Sequence, residues 1–239
     1  MMDGQAGMRM VTRGEGPHSG QRIAQAGKPL AEARQAVIML HGRGAGPEDM
    51  LALVPHLNAP DTAFLAPSAA GSSWWSDSFL APLQANEPYL SSALDVVERL
   101  VVDIGSAGLG TQSVVLCGFS QGACLALEAT ARLAVPFLAV AAFSGGLVGT
   151  AEVGGPPRDE LYGRPAKAFG YSGTVDGVPI LIGCHERDPH IPMARVRESI
   201  DVLRGMGAET ELITIPGAGH GLVESEVEWL SRRLVRPAA

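Results

Sequence analysis

Short apolar runs alternate along the chain with longer stretches of helical periodicity, and this alternation limits the possible folds more than any other feature. The short runs are mostly apolar and do not alternate, which favours strands buried on both faces of a parallel sheet. We predict strands at residues 36–40, 62–66, 113–119, 138–143, 179–183 and 210–215. The pattern predicts an α/β fold with a mostly parallel central sheet and helices on both faces.

The stretches between the runs carry apolar residues at three- and four-residue steps, as amphipathic helices do. The clearest helix spans residues 90–104, and further helices are predicted at 121–133, 193–206 and 222–234. Gly105 and Gly207 stand where two of these helices should end. Residues 150–178 are rich in Gly and Pro and lack a period, which predicts an excursion over the surface.

Length and composition favour one domain. The chain has 239 residues, of which 46% are hydrophobic, enough for a sizeable core. Residues 1–20 are rich in Gly and Met without periodicity, so we expect a flexible tail there and a single domain over residues 21–239. This length leaves little room for a large lid domain, and we expect none.

Charge and cysteine content exclude several classes of protein. The net charge is −7 and the 18 Lys and Arg residues are scattered, so we expect no nucleic-acid partner. Apolar runs such as residues 134–143 are too short to span a bilayer, and residues 1–10 contain no secretory apolar stretch, which favours a cytoplasmic protein. Cys117, Cys124 and Cys184 have no zinc-type spacing and are predicted to be reduced core residues.

The pentapeptide Gly118-Phe119-Ser120-Gln121-Gly122 is a candidate site of nucleophilic catalysis. With 16 serines and 30 glycines, chance alone gives roughly 0.25 such Gly-x-Ser-x-Gly matches per chain of this composition. Its context adds weight, because a predicted buried strand precedes it and a predicted helix follows it. A strand, a sharp turn and a helix present a serine hydroxyl at the tip of the turn, so we predict that Ser120 is the nucleophile.

A serine nucleophile needs a histidine base oriented by a carboxylate, and in this arrangement the chain order is Ser, acid, His. His220 lies in a glycine-containing loop directly after the last predicted strand, where the base is expected. Asp188 follows the strand at 179–183, at the carboxyl edge of the sheet. Asp176 precedes that strand and should emerge at the opposite edge. We therefore predict a triad of Ser120, Asp188 and His220.

Alternatives exist for two of these assignments. Ser144, in Phe143-Ser144-Gly145-Gly146, nearly matches the same pattern, but no helix follows it at once, so a strand-end position near the site is expected. Glu186 is close enough to Asp188 to remain an alternative acid. His185 and His190 flank Asp188, but without further ligands they predict no metal site.

An oxyanion hole requires two backbone N–H groups aimed at the carbonyl oxygen of the substrate. Gln121, the residue after the nucleophile, is expected to supply one. The other is assigned to Arg43, in the loop His41-Gly42-Arg43-Gly44 after the first predicted strand. His41 is expected to be structural. The glycines of this loop could suit a phosphate, but the Gly-Lys-Ser/Thr ending of a phosphate-binding loop is absent.

These motifs together resemble the phospholipase/carboxylesterase family of α/β-hydrolases, which includes acyl-protein thioesterases and small bacterial carboxylesterases. The resemblance runs from about residue 36 to the end of the chain. It is carried by six ordered motifs: Leu40-His41-Gly42-Arg43-Gly44, Ala66-Pro67 with Trp74-Trp75, the Ser120 pentapeptide, Phe143-Ser144-Gly145-Gly146, Asp188-Pro189-His190-Ile191-Pro192 and Gly219-His220-Gly221. It implies an α/β-hydrolase fold, the triad named above, hydrolysis of carboxylic or thio-esters and no cofactor.

The chain departs from the thioesterases of this family at one loop. Those enzymes usually have Leu and Asp where this chain has Arg43 and Ala45, and the chain resembles the bacterial small-molecule branch instead. Candidate residues for the wall of the acyl pocket are Trp74, Trp75, Phe79 and Ser144.

The expected function is therefore a serine carboxylesterase acting on small ester substrates. An acyltransferase with the same triad and a ligand-binding relative without turnover are the alternatives. The resemblance also leaves pairing into homodimers open.

Overall fold

The computed structural model describes residues 10–150 and 155–234. Seven strands form one sheet in the order β1-β3-β2-β4-β5-β6-β7. All neighbouring pairs are parallel except β1 with β3, which is antiparallel. The strands are β1 (Ile23–Gly27), β2 (Gln35–Leu40), β3 (Thr62–Pro67), β4 (Val114–Phe119), β5 (Ala139–Phe143), β6 (Pro179–Arg187) and β7 (Glu209–Ala218).

Helices cover both faces of the sheet. They are α1 (Pro47–Leu51), α2 (Tyr89–Ser106), α3 (Gln121–Leu133), α4 (Met193–Gly205) and α5 (Glu224–Leu234). Apolar residues of α2, α3 and α4 pack with one set of strand side chains, and those of α1 and α5 pack with the other set. Val37 and Ile38 are consecutive in β2, lie on opposite faces and are both fully buried. The predicted α/β fold, with a mostly parallel central sheet and helices on both faces, is thus confirmed. None of the described helices is long and apolar enough to cross a membrane.

The six predicted strands and four predicted helices are all present, with ends that differ by a few residues. Two short elements, β1 and α1, were not predicted. The end of α2 also differs from the prediction, because this helix continues through Gly105 to Ser106. The glycine with positive φ that follows α2 is Gly108, at +97°.

Residues 10–20 pack against the domain, unlike the flexible tail expected over residues 1–20. His18 is fully buried; its backbone N–H donates to Ser92 Oγ over 3.0 Å, and its Nδ1 accepts from Ala70 N over 3.0 Å. Its Nε2 lies 2.9 Å from the carbonyl oxygen of Trp74. These bonds secure the segment at three separate places on the domain. Residues 1–9, the rest of the expected tail, lie outside the described residues.

Parallel strands bring their carboxyl ends to one edge of the sheet, and the segments that follow β2, β4, β6 and β7 meet there. The approach of β2 to the start of α3 is close. A Cβ atom on Gly122 would lie 2.0 Å from the carbonyl oxygen of Leu40, and one on Gly118 would lie 2.2 Å from that of Gly122. Both glycines are required because any side chain would separate α3 from the strands.

Candidate active site

Ser120 occupies the sharp turn between β4 and α3. Its backbone has φ +54° and ψ −118°, a combination that L-residues rarely adopt and that costs on the order of 1–3 kcal/mol. The turn is held in place by the backbone N–H of Ser120, which donates to the carbonyl oxygen of Phe143 over 2.8 Å. This strained turn lifts the hydroxyl of Ser120 out of the strand toward the cavity at the sheet edge.

Ser120, His220 and Asp188 are brought together across long stretches of sequence. His220 Nε2 lies 2.8 Å from Ser120 Oγ, and His220 Nδ1 lies 2.8 Å from Asp188 Oδ2. A carboxylate can only accept, so Nδ1 carries the proton and Nε2 is free to accept the hydroxyl proton of Ser120. The three side chains therefore form one continuous hydrogen-bonded chain.

Asp188 is buried, and its two oxygens have separate partners. Oδ2 faces His220, while Oδ1 accepts backbone N–H groups of His190 at 2.8 Å and Ile191 at 3.0 Å. Burial by itself raises the pKa of Asp188, but the hydrogen bonds from His220 and from the two backbone N–H groups outweigh it. The net result is a pKa below the ordinary value for aspartate, so the side chain is ionised at neutral pH.

The alternative residues occupy other places. Glu186, the alternative acid, is exposed and accepts the backbone N–H of Gly217 over 3.2 Å. The ring of His190 lies edge-on to that of His220, with 4.9 Å between centroids. The ring of His185 packs over Gly219, where a Cβ atom would lie 2.7 Å from it. Among residues 10–150 and 155–234, no group of three or more His, Cys, Asp or Glu side chains could hold a metal ion.

The loop after β2 lies beside Ser120. The N–H groups of Gly44 and Ala45 are bound by the carbonyl oxygens of Ser72 and Gly42, whereas that of Arg43 enters no backbone hydrogen bond within the described part of the chain. Gln121 is the first residue of α3, and the N–H groups of a first helical turn have no partner inside the helix. Arg43 and Gln121 both line the cavity with Ser120.

His41 stabilises this loop through hydrogen bonds of its ring. It is fully buried, with Nε2 accepting the N–H of Ala69 over 3.0 Å and Nδ1 lying 2.8 Å from the carbonyl oxygen of Gly42. Burial lowers the pKa of His41, against weaker raising contributions from its neighbours. The ring is therefore neutral and structural, in line with its expected role.

The cavity in front of Ser120 has a volume of about 590 Å³. Of the four residues expected in its wall, Trp75 and Phe79 line it and Trp74 and Ser144 do not. Trp74 is fully buried and its indole N–H donates to the carbonyl oxygen of His41 over 2.9 Å, so it supports the loop that carries Arg43. Ser144 is fully buried at the end of β5, where its N–H donates to the carbonyl oxygen of Gly183 over 2.8 Å.

Several residues of the cavity were not anticipated from the sequence. They include the polar stretch Ser76, Asp77 and Ser78, together with Phe119, Cys124 and Ile191. Phe119 and Cys124 flank Ser120 closely in sequence, and that proximity was the available signal. The polar stretch carries no motif, because its place in the wall depends on contacts made by other parts of the chain.

The chain is similar to known proteins of one family. The model of the phospholipase/carboxylesterase family matches residues 21–235. The solved structure of a phospholipase/carboxylesterase from Dyadobacter fermentans DSM 18053 is similar, with a TM-score of 0.80 and 33% sequence identity. That similarity covers 96% of this chain and 100% of the other.

Two curated proteins are also similar. A probable carboxylesterase of Oryza sativa subsp. japonica is 24% identical over 220 residues, which are 83% of this chain and 88% of that protein. Acyl-protein thioesterase 1 of Gibberella zeae is 27% identical over 126 residues. The latter match spans 51% of this chain and only 47% of the thioesterase, about half of its length.

Proposed function

Since this chain belongs to the phospholipase/carboxylesterase family and is a carboxylesterase, we propose that it hydrolyses small carboxylic esters through an acyl-enzyme on Ser120. The observation that carries the proposal is the hydrogen-bonded chain from Ser120 Oγ through the His220 ring to Asp188, with both contacts at 2.8 Å. Nucleophile, base and orienting acid stand in the order that acyl transfer by a serine requires.

In the first step, Ser120 Oγ attacks the ester carbonyl carbon while His220 Nε2 takes the hydroxyl proton. Asp188 stabilises the resulting imidazolium, and the negative charge moves to the former carbonyl oxygen. The backbone N–H groups of Arg43 and Gln121 are the donors for this oxyanion. The intermediate collapses with cleavage of the bond to the alcohol oxygen, which leaves with the proton from His220.

In the second step, water attacks the acyl group on Ser120 while His220 accepts one of its protons. Collapse of the second intermediate returns that proton to Ser120 Oγ and releases the carboxylic acid. The acyl chain of the substrate occupies the cavity lined by Trp75 and Phe79.

The proposal also covers the cellular location of the enzyme and its partners. The three cysteines are free and buried, as is usual in a reducing compartment, which supports a cytoplasmic location as part of the proposal. The net charge of −7 opposes binding to nucleic acid. A homodimer is part of the proposal only by analogy with the family.

The test is Ser120→Ala with p-nitrophenyl butyrate as substrate. We expect kcat to fall by about 10⁴-fold or more, because the nucleophile is lost. Wild-type protein should also be labelled by a fluorophosphonate probe, and Ser120→Ala should not be. Wild-type turnover in the variant would refute the mechanism, and a folded wild-type protein that neither turns over nor takes the label would point to a ligand-binding relative.

Transfer of the acyl group to an acceptor other than water uses the same triad. Product analysis in the presence of a competing alcohol or amine separates this alternative from hydrolysis. We expect the free carboxylic acid as the main product in aqueous buffer.

A further inference from the structure

Residues 75–79 form a continuous part of the cavity wall and have no regular secondary structure. We call them the wall segment. Backbone groups outside helices and sheets need other partners when water is excluded. The shape of the wall segment is therefore set by the groups that bind its backbone.

Each of four consecutive carbonyl oxygens of the wall segment accepts a hydrogen bond from the side chain of Arg43, Asn86 or Gln121, and that of Trp75 also accepts the hydroxyl of Ser73. The carbonyl of Trp75 accepts Gln121 Nε2 over 2.8 Å. The carbonyls of Ser76 and Asp77 accept hydrogen bonds from the two terminal nitrogens of the Arg43 guanidinium, and the bond to Ser76 is 2.6 Å long. Asn86 Nδ2 donates to the carbonyl of Ser78 over 2.9 Å, and Asn86 Oδ1 accepts the N–H of Asp77 over 2.9 Å.

Two of these side chains belong to the residues assigned to the oxyanion hole. Arg43 and Gln121 are proposed to direct their backbone N–H groups at the substrate carbonyl, while their side chains hold the wall segment. Gln121 is nearly fully buried and also accepts the N–H of Trp74 over 2.8 Å, so its amide is committed to the wall. Hydrogen bonds from the side chains of these two residues thus connect the wall segment to the residues assigned as oxyanion donors.

Arg43 has the geometry of a clamp. Its planar guanidinium presents parallel donors, which suit two adjacent carbonyl oxygens better than a single ammonium would. The Arg43 side chain is exposed, so its replacement leaves the core intact. Because the clamp uses the side chain only, a substitution also keeps the backbone N–H of residue 43.

We propose that the Arg43 side chain is a specificity-determining residue, which restricts the acyl chain to short lengths by holding the wall segment closed over the cavity. The inference rests on the proposed esterase function. Release of the clamp frees the carbonyl groups of Ser76 and Asp77, so that the segment can move outward at Ser76, while Gln121 still holds Trp75 and Asn86 still holds Asp77 and Ser78.

The experiment measures kcat and KM for p-nitrophenyl acetate, butyrate, hexanoate and octanoate. In Arg43→Met we expect the ratio of kcat/KM for octanoate to that for acetate to rise about fivefold to tenfold, mainly through KM. Arg43→Lys, which offers one ammonium in place of the fork, should give a smaller shift in the same direction. Arg204→Met removes an exposed cation from α4 and serves as the control, with the wild-type ratio expected.

The results separate this inference from the proposed function. An unchanged octanoate-to-acetate ratio in Arg43→Met with a wild-type thermal unfolding temperature, whether or not all four activities fall equally, would overturn the specificity role. A mere loss of folding would appear in the thermal unfolding temperature and would lower all four activities together, and Arg43→Lys then repeats the test in a milder variant. Failure of the esterase mechanism itself appears instead as wild-type turnover in Ser120→Ala.

Discussion

The backbone N–H of His190 donates to Oδ1 of Asp188 over 2.8 Å, so His190 supports the carboxylate without using its ring. The ring itself lies against the His220 ring and lines the cavity. Two imidazoles thus stand side by side at the site, and only that of His220 bridges Asp188 and Ser120.

This arrangement predicts opposite outcomes for the two histidines. His220→Ala should lower kcat by about 10⁴-fold or more, because the base is lost. His190→Ala keeps the backbone N–H on Asp188 and should change kcat by less than about tenfold. Steady-state rates with p-nitrophenyl butyrate provide the measurement. A loss in His190→Ala that equals the loss in His220→Ala would show that the base has been assigned to the wrong ring.

Asp188→Asn should lower kcat by about 10⁴-fold with little change in stability, as an amide in this place favours the wrong tautomer of the histidine. The matched control is Asp176→Asn, an exposed side chain at the opposite end of β6 whose carboxylate accepts from Thr174 Oγ1. Its kcat should remain at the wild-type value. Near-normal activity in Asp188→Asn would argue for another acid, with Glu186 the first to examine.

Gly122→Ala should destabilise the protein, since the new methyl group would meet the carbonyl oxygen of Leu40 at 2.0 Å. Overpacking of this kind costs about 1–3 kcal/mol or more, and the shift of α3 should also displace Ser120 and lower activity. The free energy of unfolding in urea and kcat report the two effects.

Gly105→Ala is the control for that substitution. Gly105 lies inside α2, is exposed and has open space where a Cβ atom would stand. Alanine is favoured there over glycine, so a gain of about 0.5–1 kcal/mol in the free energy of unfolding is expected. Equal stability of the two variants would contradict the packing argument.

Glu226 is a fully buried carboxylic acid in the first turn of α5. Its Oε2 accepts the N–H of Val223 over 2.8 Å, its Oε1 has no hydrogen-bond partner within the described residues, and a Cβ atom on Gly183 would touch it. The titratable groups near it are the buried thiols of Cys117 and Cys184, whose pKa values are raised chiefly by burial and further by Glu226. Burial raises the pKa of Glu226 to about 7, although the Val223 N–H opposes the shift.

A raised pKa means that the unfolded chain releases the proton of Glu226 at a lower pH than the folded protein. The free energy of unfolding therefore falls between about pH 4.5 and pH 7 through this group and is not regained above that range. Glu226→Gln removes the effect. The free energy of unfolding of the variant minus that of wild type should therefore be roughly 1–3 kcal/mol larger at about pH 8 than at pH 4.5.

Urea unfolding at the two pH values measures this difference, with exposed Glu224→Gln in the same turn as control. Glu224→Gln should show no such dependence on pH. Parallel stability curves for Glu226→Gln and wild type would mean that the pKa of Glu226 is not raised in the folded protein.

The central strands were predictable because each is short and mostly apolar and because they alternate with helical stretches, as in a parallel sheet covered on both faces. The segment that forms β1 is short and mixed, and it becomes a strand only by antiparallel pairing with β3, from Ile23 opposite Pro67 to Gly27 opposite Ala63. Tertiary pairing of this kind leaves no periodic signal. The same holds for His18, whose burial depends on partners more than fifty residues away.

For the candidate site, the order of Ser120, Asp188 and His220 along the chain and their places after predicted strands were sufficient to bring them together. The cavity wall was harder to predict. Trp74 and Trp75 are adjacent and equally buried, yet only Trp75 faces the cavity, because the backbone between them is oriented by Gln121. Such an orientation depends on contacts across the fold that one sequence does not display.

The residues of the candidate site come from two halves of the chain, because Arg43 follows β2 whereas the other site residues follow β4, β6 and β7. The connection between α2 and β4, at residues 107–110, is largely exposed at the edge of the sheet opposite the cavity. A break there would leave Arg43 on one piece and Ser120, Asp188 and His220 on the other. The contacts that would join the pieces include the pairing of β2 with β4 and the hydrogen bonds of Gln121 to Trp74 and Trp75. Neither piece alone would hold both proposed oxyanion donors. The rate of ester cleavage by a mixture of the two pieces would therefore measure the fraction of molecules in which the sheet had reassembled.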